Sequence, residues 1–117
     1  MLWLVVGVLW GINPIYVEGW DYTHGSAAEA CRVERGEARA IIACANRETR
    51  TVTIDLEAVQ VVAQIWAVTD AGHPCADWWY VYLDALRHEN LHVLGYDHGP
   101  GGGFQNAQCR RVGVTIL

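Results

Sequence analysis

Eleven consecutive residues, His88 to His98, constrain this chain more than any others; they read HENLHVLGYDH. On a helix, His88 and His92 stand at i and i+4, so their imidazoles project from one face a turn apart. Gly95 then allows the chain to leave that helix through a left-handed residue, a conformation that resists almost every other side chain. The turn brings His98 back toward the first two histidines as a third nitrogen donor. Three imidazoles with one open position form the catalytic pattern of zinc, and imidazole suits that ion. Glu89, beside the first histidine, can reach a water on the metal without being a ligand. The chain must therefore fold so that one helix ends at a metal.

The chain has 117 residues, enough for one domain with a modest core. Hydrophobic residues make up 52% and charged residues 18%, with six tryptophans, so this is a folding sequence and not a disordered tail. Its net charge is −5, carried with eight arginines and no lysine, which argues against a broad phosphate-binding surface. The pair Arg110-Arg111 is too short to make one. No heptad, internal repeat or low-complexity tract appears beyond the glycine run Gly101 to Gly103.

Residues 1–12 carry an apolar run, LWLVVGVLWG, too short for a membrane span of about 20 residues. It reads either as the hydrophobic region of a signal peptide or as a buried first strand, since Val5, Val6 and Val8 are β-branched. Cys31, Cys44, Cys75 and Cys109 form no C-x-x-C pair, which excludes a zinc ribbon. An even count in a small chain favours at least one disulfide, with three pairings open, over buried free thiols. Cys75–Cys109 is the first pair to examine, because it would tie the segment before the histidine helix to the tail after it. A disulfide would in turn favour a secreted protein over a cytoplasmic one.

Patterning predicts an α/β (α+β) domain over 1–117, with a short sheet packed on a backing helix and a central active-site helix. Gly11 to Gly25 reads mostly as loop. Ser26 caps a short helix through Ala27, Ala28, Glu29 and Ala30 that ends near Gly36. Ala38 to Ala45 reads as an apolar strand and Thr51 to Ile54 as its hairpin partner across Asn46-Arg47-Glu48. Asp55 caps the next helix, with Glu57, Gln60 and Gln64 on its polar face and Leu56, Val59, Val62 and Trp66 opposite; Gly72 and Pro74 stop it. Asp77 caps the histidine helix, from about Trp78 to Leu94. Trp79, Val81, Leu83, Leu86, Leu91 and Val93 make that helix apolar on nearly all sides, hence central and buried. Val112 to Leu117 returns as a strand or a final turn.

The eleven residues resemble the metzincin signature H-E-x-x-H-x-x-G-x-x-H, matched at His88, Glu89, His92, Gly95 and His98. The resemblance implies a small zincin-like catalytic domain and a zinc-dependent metalloendopeptidase. His88, His92 and His98 would hold Zn2+, and Glu89 would take a proton from the attacking water and pass it to the leaving amine. Metzincins also carry a methionine in a tight turn beneath the metal. The one methionine here is Met1, so that turn is absent or rebuilt from other residues.

A second resemblance runs through His88, Leu91, His92, Gly95, Tyr96, Asp97 and His98. It is to the bacterial rRNA-maturation endoribonucleases, which carry a similar three-histidine stretch, and TVTIDLE resembles the strand before it. It implies a single-strand endoribonuclease as the alternative, and a non-catalytic zinc-binding module is the third reading. Glu89 stands where those nucleases have a small residue, and an acidic, lysine-free chain is poorly suited to ribosomal RNA. The peptidase reading therefore leads: a peptide or protein substrate, no nucleic acid, no membrane span, and a monomer. An extended peptide would add to a sheet edge near Thr51 to Ile54. Tyr96 is either a second electrophile or a ring packed on the helix end. Asp97 either orients a ligand histidine or is an exposed turn residue. Arg87 reads as solvated or ion-paired, and His24 and His73 as ordinary surface histidines.

Overall fold

The structure, a computed structural model, describes residues 16–32, 40–96, 108–109 and 114–115. Four strand-forming residues open it as β1, Asp21–His24, followed by α1, Ala27–Ala30. Then come β2, Ala40–Ile41; β3, Ala43–Asn46; and β4, Thr51–Ile54. Two longer helices follow, α2, Leu56–Thr69, and α3, Trp78–Val93, with a 3-10 turn Pro74–Ala76 between them. Val114–Thr115 closes the series as β5. The chain is an α/β fold. No helix among the described residues is long and apolar enough to cross a membrane.

Local chemistry explains where the helices begin. Ser26 accepts from the Glu29 amide, Asp55 from the Ala58 amide, and Asp77 from the amides of Trp79 and Tyr80. Each side chain satisfies donors that the first helical turn leaves over. Long-range pairing explains the sheet, whose order is β1-β4-β3, with β1 parallel and β3 antiparallel to β4. The β3–β4 hairpin turns on Asn46, whose Oδ1 accepts from the amides of Glu48 and Thr49.

Several expectations change here. Asp21–His24 is a strand and not a loop, because β4 supplies a parallel partner in register from Asp21–Thr51 to His24–Ile54. α1 stops at Ala30, well before Gly36; Cys31 is bridged to Cys44 on β3, and Asn46 Nδ2 donates to the Ala30 carbonyl at 3.0 Å. The single strand read over Ala38 to Ala45 divides at Ile42: β2 pairs with β5, while β3 pairs with β4. Thr51 to Ile54 is the central strand, so neither of its edges is open to a peptide. The first-strand or signal-peptide reading of residues 1–12 lies outside the described residues, as does the glycine run.

The core sits between the sheet and the two long helices. Ile42, between β2 and β3, and Val52 and Ile54 of β4 meet Val59 and Val62 of α2 and Val81, Ala85 and Leu86 of α3, all buried. Burying an aliphatic side chain of this size contributes roughly 1.5–3 kcal/mol, so these contacts fix how α3 lies on the sheet. α3 is not buried all round. Trp79 and Leu83 are 58% and 44% exposed. Trp78 and Trp79 instead stack with each other and with Tyr82 at ring separations of 5.3–5.6 Å. Helical periodicity allows one wet flank, and counting apolar residues alone hid it.

Candidate metal centre

The last two turns of α3 carry His88, Glu89 and His92. His88 is 5% exposed and Glu89 is fully buried, while His92 is half-buried. The Nε2 atoms of His88 and His92 lie 3.2 Å apart, with the two rings edge to face. Two nitrogens at ~2.0–2.1 Å from one tetrahedral zinc stand about 3.3 Å apart, so the pair fits a shared ion. The same spacing also fits one proton bridging the two rings in the metal-free protein.

The outer nitrogen of His92 distinguishes its two sides. Nδ1 lies 2.9 Å from the Tyr96 carbonyl. A carbonyl can only accept, so Nδ1 donates that bond, and Nε2 is the nitrogen turned toward His88. Tyr96 thus enters the site through its backbone, while its side chain is 51% exposed.

Gly95 makes that contact possible. It has φ +104°, and its amide donates to the His92 carbonyl at 3.0 Å while the Tyr96 amide donates to Leu91 at 2.9 Å. This pair of bonds is the Schellman arrangement, which satisfies the last helical carbonyls and turns the chain back. A Cβ on Gly95 would meet no atom within 4 Å, so backbone conformation and not space demands glycine. Gly95→Ala is expected to cost about 1–2 kcal/mol in urea unfolding, the penalty of a left-handed residue with a Cβ. From the β3–β4 turn, Arg47 also reaches the His92 carbonyl at 3.3 Å and adds positive charge at the helix C-terminus.

Glu89 is the most unusual side chain in the fold. Neither carboxylate oxygen has a hydrogen-bond partner among the described residues. Burial pushes its pKa up to about 8, with no donor or cation among the described residues to offset the loss of water. A buried carboxylate left this way costs stability, and a function is the ordinary reason such a group is kept. The two converging imidazole nitrogens fit a metal, and the residue next to His88 in the chain carries the unsatisfied carboxylate.

Asp97 and His98 lie outside the described residues, and among the described residues no three ligating side chains converge. Of the expected site residues, the structure brings the imidazoles of His88 and His92 together, carries Glu89 on the same helix, and sets the Gly95–Tyr96 turn against His92.

Other residues around α3 were missed or misjudged from sequence. Tyr22 on β1 donates to Asn90 Oδ1 at 2.6 Å, and burial raises its pKa, which keeps it a donor. His24 is exposed, as expected, and its Nε2 lies 2.8 Å from the Tyr82 hydroxyl. His73 caps the 3-10 turn through Nδ1 and stacks on Trp66 at 3.9 Å. Arg87 is ion-paired with Asp84 at 3.8 Å, in line with its reading as solvated or ion-paired. Asp84 is 4% exposed and accepts from the amides of Gln108 and Cys109, each at 3.2 Å. Burial raises its pKa, and those two amides and Arg87 pull it partly back. The signal for Asp84 was present: an acid four residues before His88, on the flank that continues to His92.

No protein-family model, characterised protein or solved structure matches this chain.

Proposed function

We propose that this chain is a zinc-dependent endopeptidase. The observation that carries the reading is the convergence of His88 and His92 Nε2 at 3.2 Å on the helix that also carries the buried Glu89 carboxylate. His88, His92 and His98 are the residues that would hold the ion. Bound there, zinc polarises a scissile carbonyl and acidifies water. The chain's own groups supply the rest. The Tyr96 carbonyl holds the proton on His92 Nδ1 and so keeps its Nε2 a donor to metal. A Glu89 oxygen takes the proton of the attacking water and delivers it to the departing amine. Among the described residues β1 and β3 are the outer strands of this sheet, and an extended peptide would join there and not at β4.

Glu89 also favours peptide over RNA hydrolysis, since it sits where the resembling nucleases have a small residue. The net charge of −5 points the same way, because RNA binding draws on many basic contacts. Incubation with casein and, separately, with single-stranded RNA tests the reading. Casein should be cut, cutting should stop on chelation and return with added zinc, and the RNA should survive. Cleavage of RNA with casein untouched would replace this reading with the nuclease one.

A further inference from the structure

The backbone carbonyl of His92 receives two donors. One is the Gly95 amide at 3.0 Å, a bond that closes the turn after α3; the other is Arg47 Nη2 at 3.3 Å. The last carbonyls of a helix have no partner within it, and helix ends open readily unless something holds them. Here the second donor comes from 45 residues away in the chain, on the turn between β3 and β4.

Arg47 stands on a firm base. Its neighbour Asn46 accepts from the amides of Glu48 and Thr49 through Oδ1 and donates from Nδ2 to the Ala30 carbonyl at 3.0 Å. Cys44, also on β3, is bridged to Cys31 at the end of α1. The β3–β4 turn is thus tied to α1 and reaches from there to the end of α3.

The ring of His92 depends on that same end. The Gly95–Tyr96 turn closes on the His92 carbonyl and places the Tyr96 carbonyl 2.9 Å from His92 Nδ1. His92 Nε2 in turn lies 3.2 Å from His88 Nε2. Movement of the His92 peptide therefore moves the acceptor that sets the ring. We infer that Arg47 is a positioning residue for the metal centre: by holding the His92 carbonyl, it steadies the turn whose Tyr96 carbonyl aims His92 Nε2. The inference rests on the zinc-peptidase reading above. Arg47 stays protonated and is no ligand. It acts through the backbone it holds, as outer hydrogen-bond partners of metal sites do.

Two measurements test this: zinc dissociation constants by competition with a chelating dye, and nitrogen-resolved NMR of the His92 ring in the metal-free protein. Arg47→Met keeps the aliphatic stem and removes the donor. It is expected to weaken zinc about three- to tenfold, the effect of one such bond. His92 Nδ1 should carry a proton throughout in the metal-free wild type and in only part of the molecules in Arg47→Met. Arg47→Lys keeps the charge and a donor, and should bring affinity back to within about twofold of wild type. Arg50→Met removes the same charge from the same turn but no bond to His92, and should also stay within about twofold, since a screened surface charge contributes little. An unchanged His92 ring in Arg47→Met overturns the inference, and so does wild-type zinc affinity. An equal loss in Arg50→Met overturns it as well, because the effect would then be one of charge alone. If Arg47→Met does not fold, Arg47→Gln is read by the same two measurements with the same expectations. A wild-type chain that binds no zinc at all overturns the peptidase reading, and this inference with it.

Discussion

Replacing Glu89 with glutamine is expected to lower turnover by about 10^2- to 10^4-fold while the protein still takes up zinc, the range that proton transfer by a positioned side chain supplies. Glutamine has the shape of glutamate but cannot accept the proton of the attacking water. The two imidazoles do not depend on Glu89, because His92 is oriented by the Tyr96 carbonyl and both rings are carried by the same helical face. The melting temperature should not fall. The native side chain is fully buried with no hydrogen-bond partner to either oxygen among the described residues, so a side chain of the same shape breaks no bond there. Activity lost with stability kept is the signature of a group retained for function. Steady-state cleavage assays, zinc analysis and thermal melts on the same preparations would check all three. Full activity in Glu89→Gln would end the general-base role.

The second large effect concerns Cys75–Cys109. Its partners are 34 residues apart, and a cross-link of that span restricts the unfolded chain by about 4 kcal/mol in the loop-entropy account. Cys31–Cys44 spans 13 residues and restricts it by about 3 kcal/mol in the same account. Replacing both Cys75 and Cys109 with alanine should therefore lower the melting temperature by roughly 10–20 °C, and the Cys31/Cys44 double replacement by less. Thiol titration of the denatured wild type, made under oxidising conditions, should find no free thiol before reduction and four after it. Four free thiols before reduction would remove both bridges from the account.

What could be read from sequence was what short-range chemistry decides. Ser26, Asp55 and Asp77 cap helices because a side-chain oxygen two or three residues from an amide needs no tertiary partner. Gly95 was legible for the same reason: its conformation closes bonds only to Leu91 and His92. β1 was not legible, since Asp21–His24 becomes a strand only beside Thr51–Ile54, some 30 residues away. The same long-range pairing places Thr51–Ile54 at the centre of the sheet, where a hairpin seen alone suggests an edge. Spacing could not choose among cysteine pairings, because only the packing of α1 on β3 and of Cys109 on α3 brings the sulfurs together. At the site, the helical spacing of His88 and His92 foretold their convergence. The isolation of Glu89 and the grip of Asp84 on Gln108 and Cys109 depend on what folds over the helix.

X-ray absorption at the zinc edge, on protein loaded with one equivalent of zinc, tests the central claim most directly. The predicted spectrum has three imidazole nitrogens and one further nitrogen or oxygen neighbour at about 2.0–2.1 Å. No sulfur should appear near 2.3 Å, since all four cysteines are in disulfides. In His98→Ala one imidazole should disappear from the shell. A sulfur neighbour, or a wild-type shell with fewer than three imidazoles, would contradict the assignment of His88, His92 and His98 as the ligands.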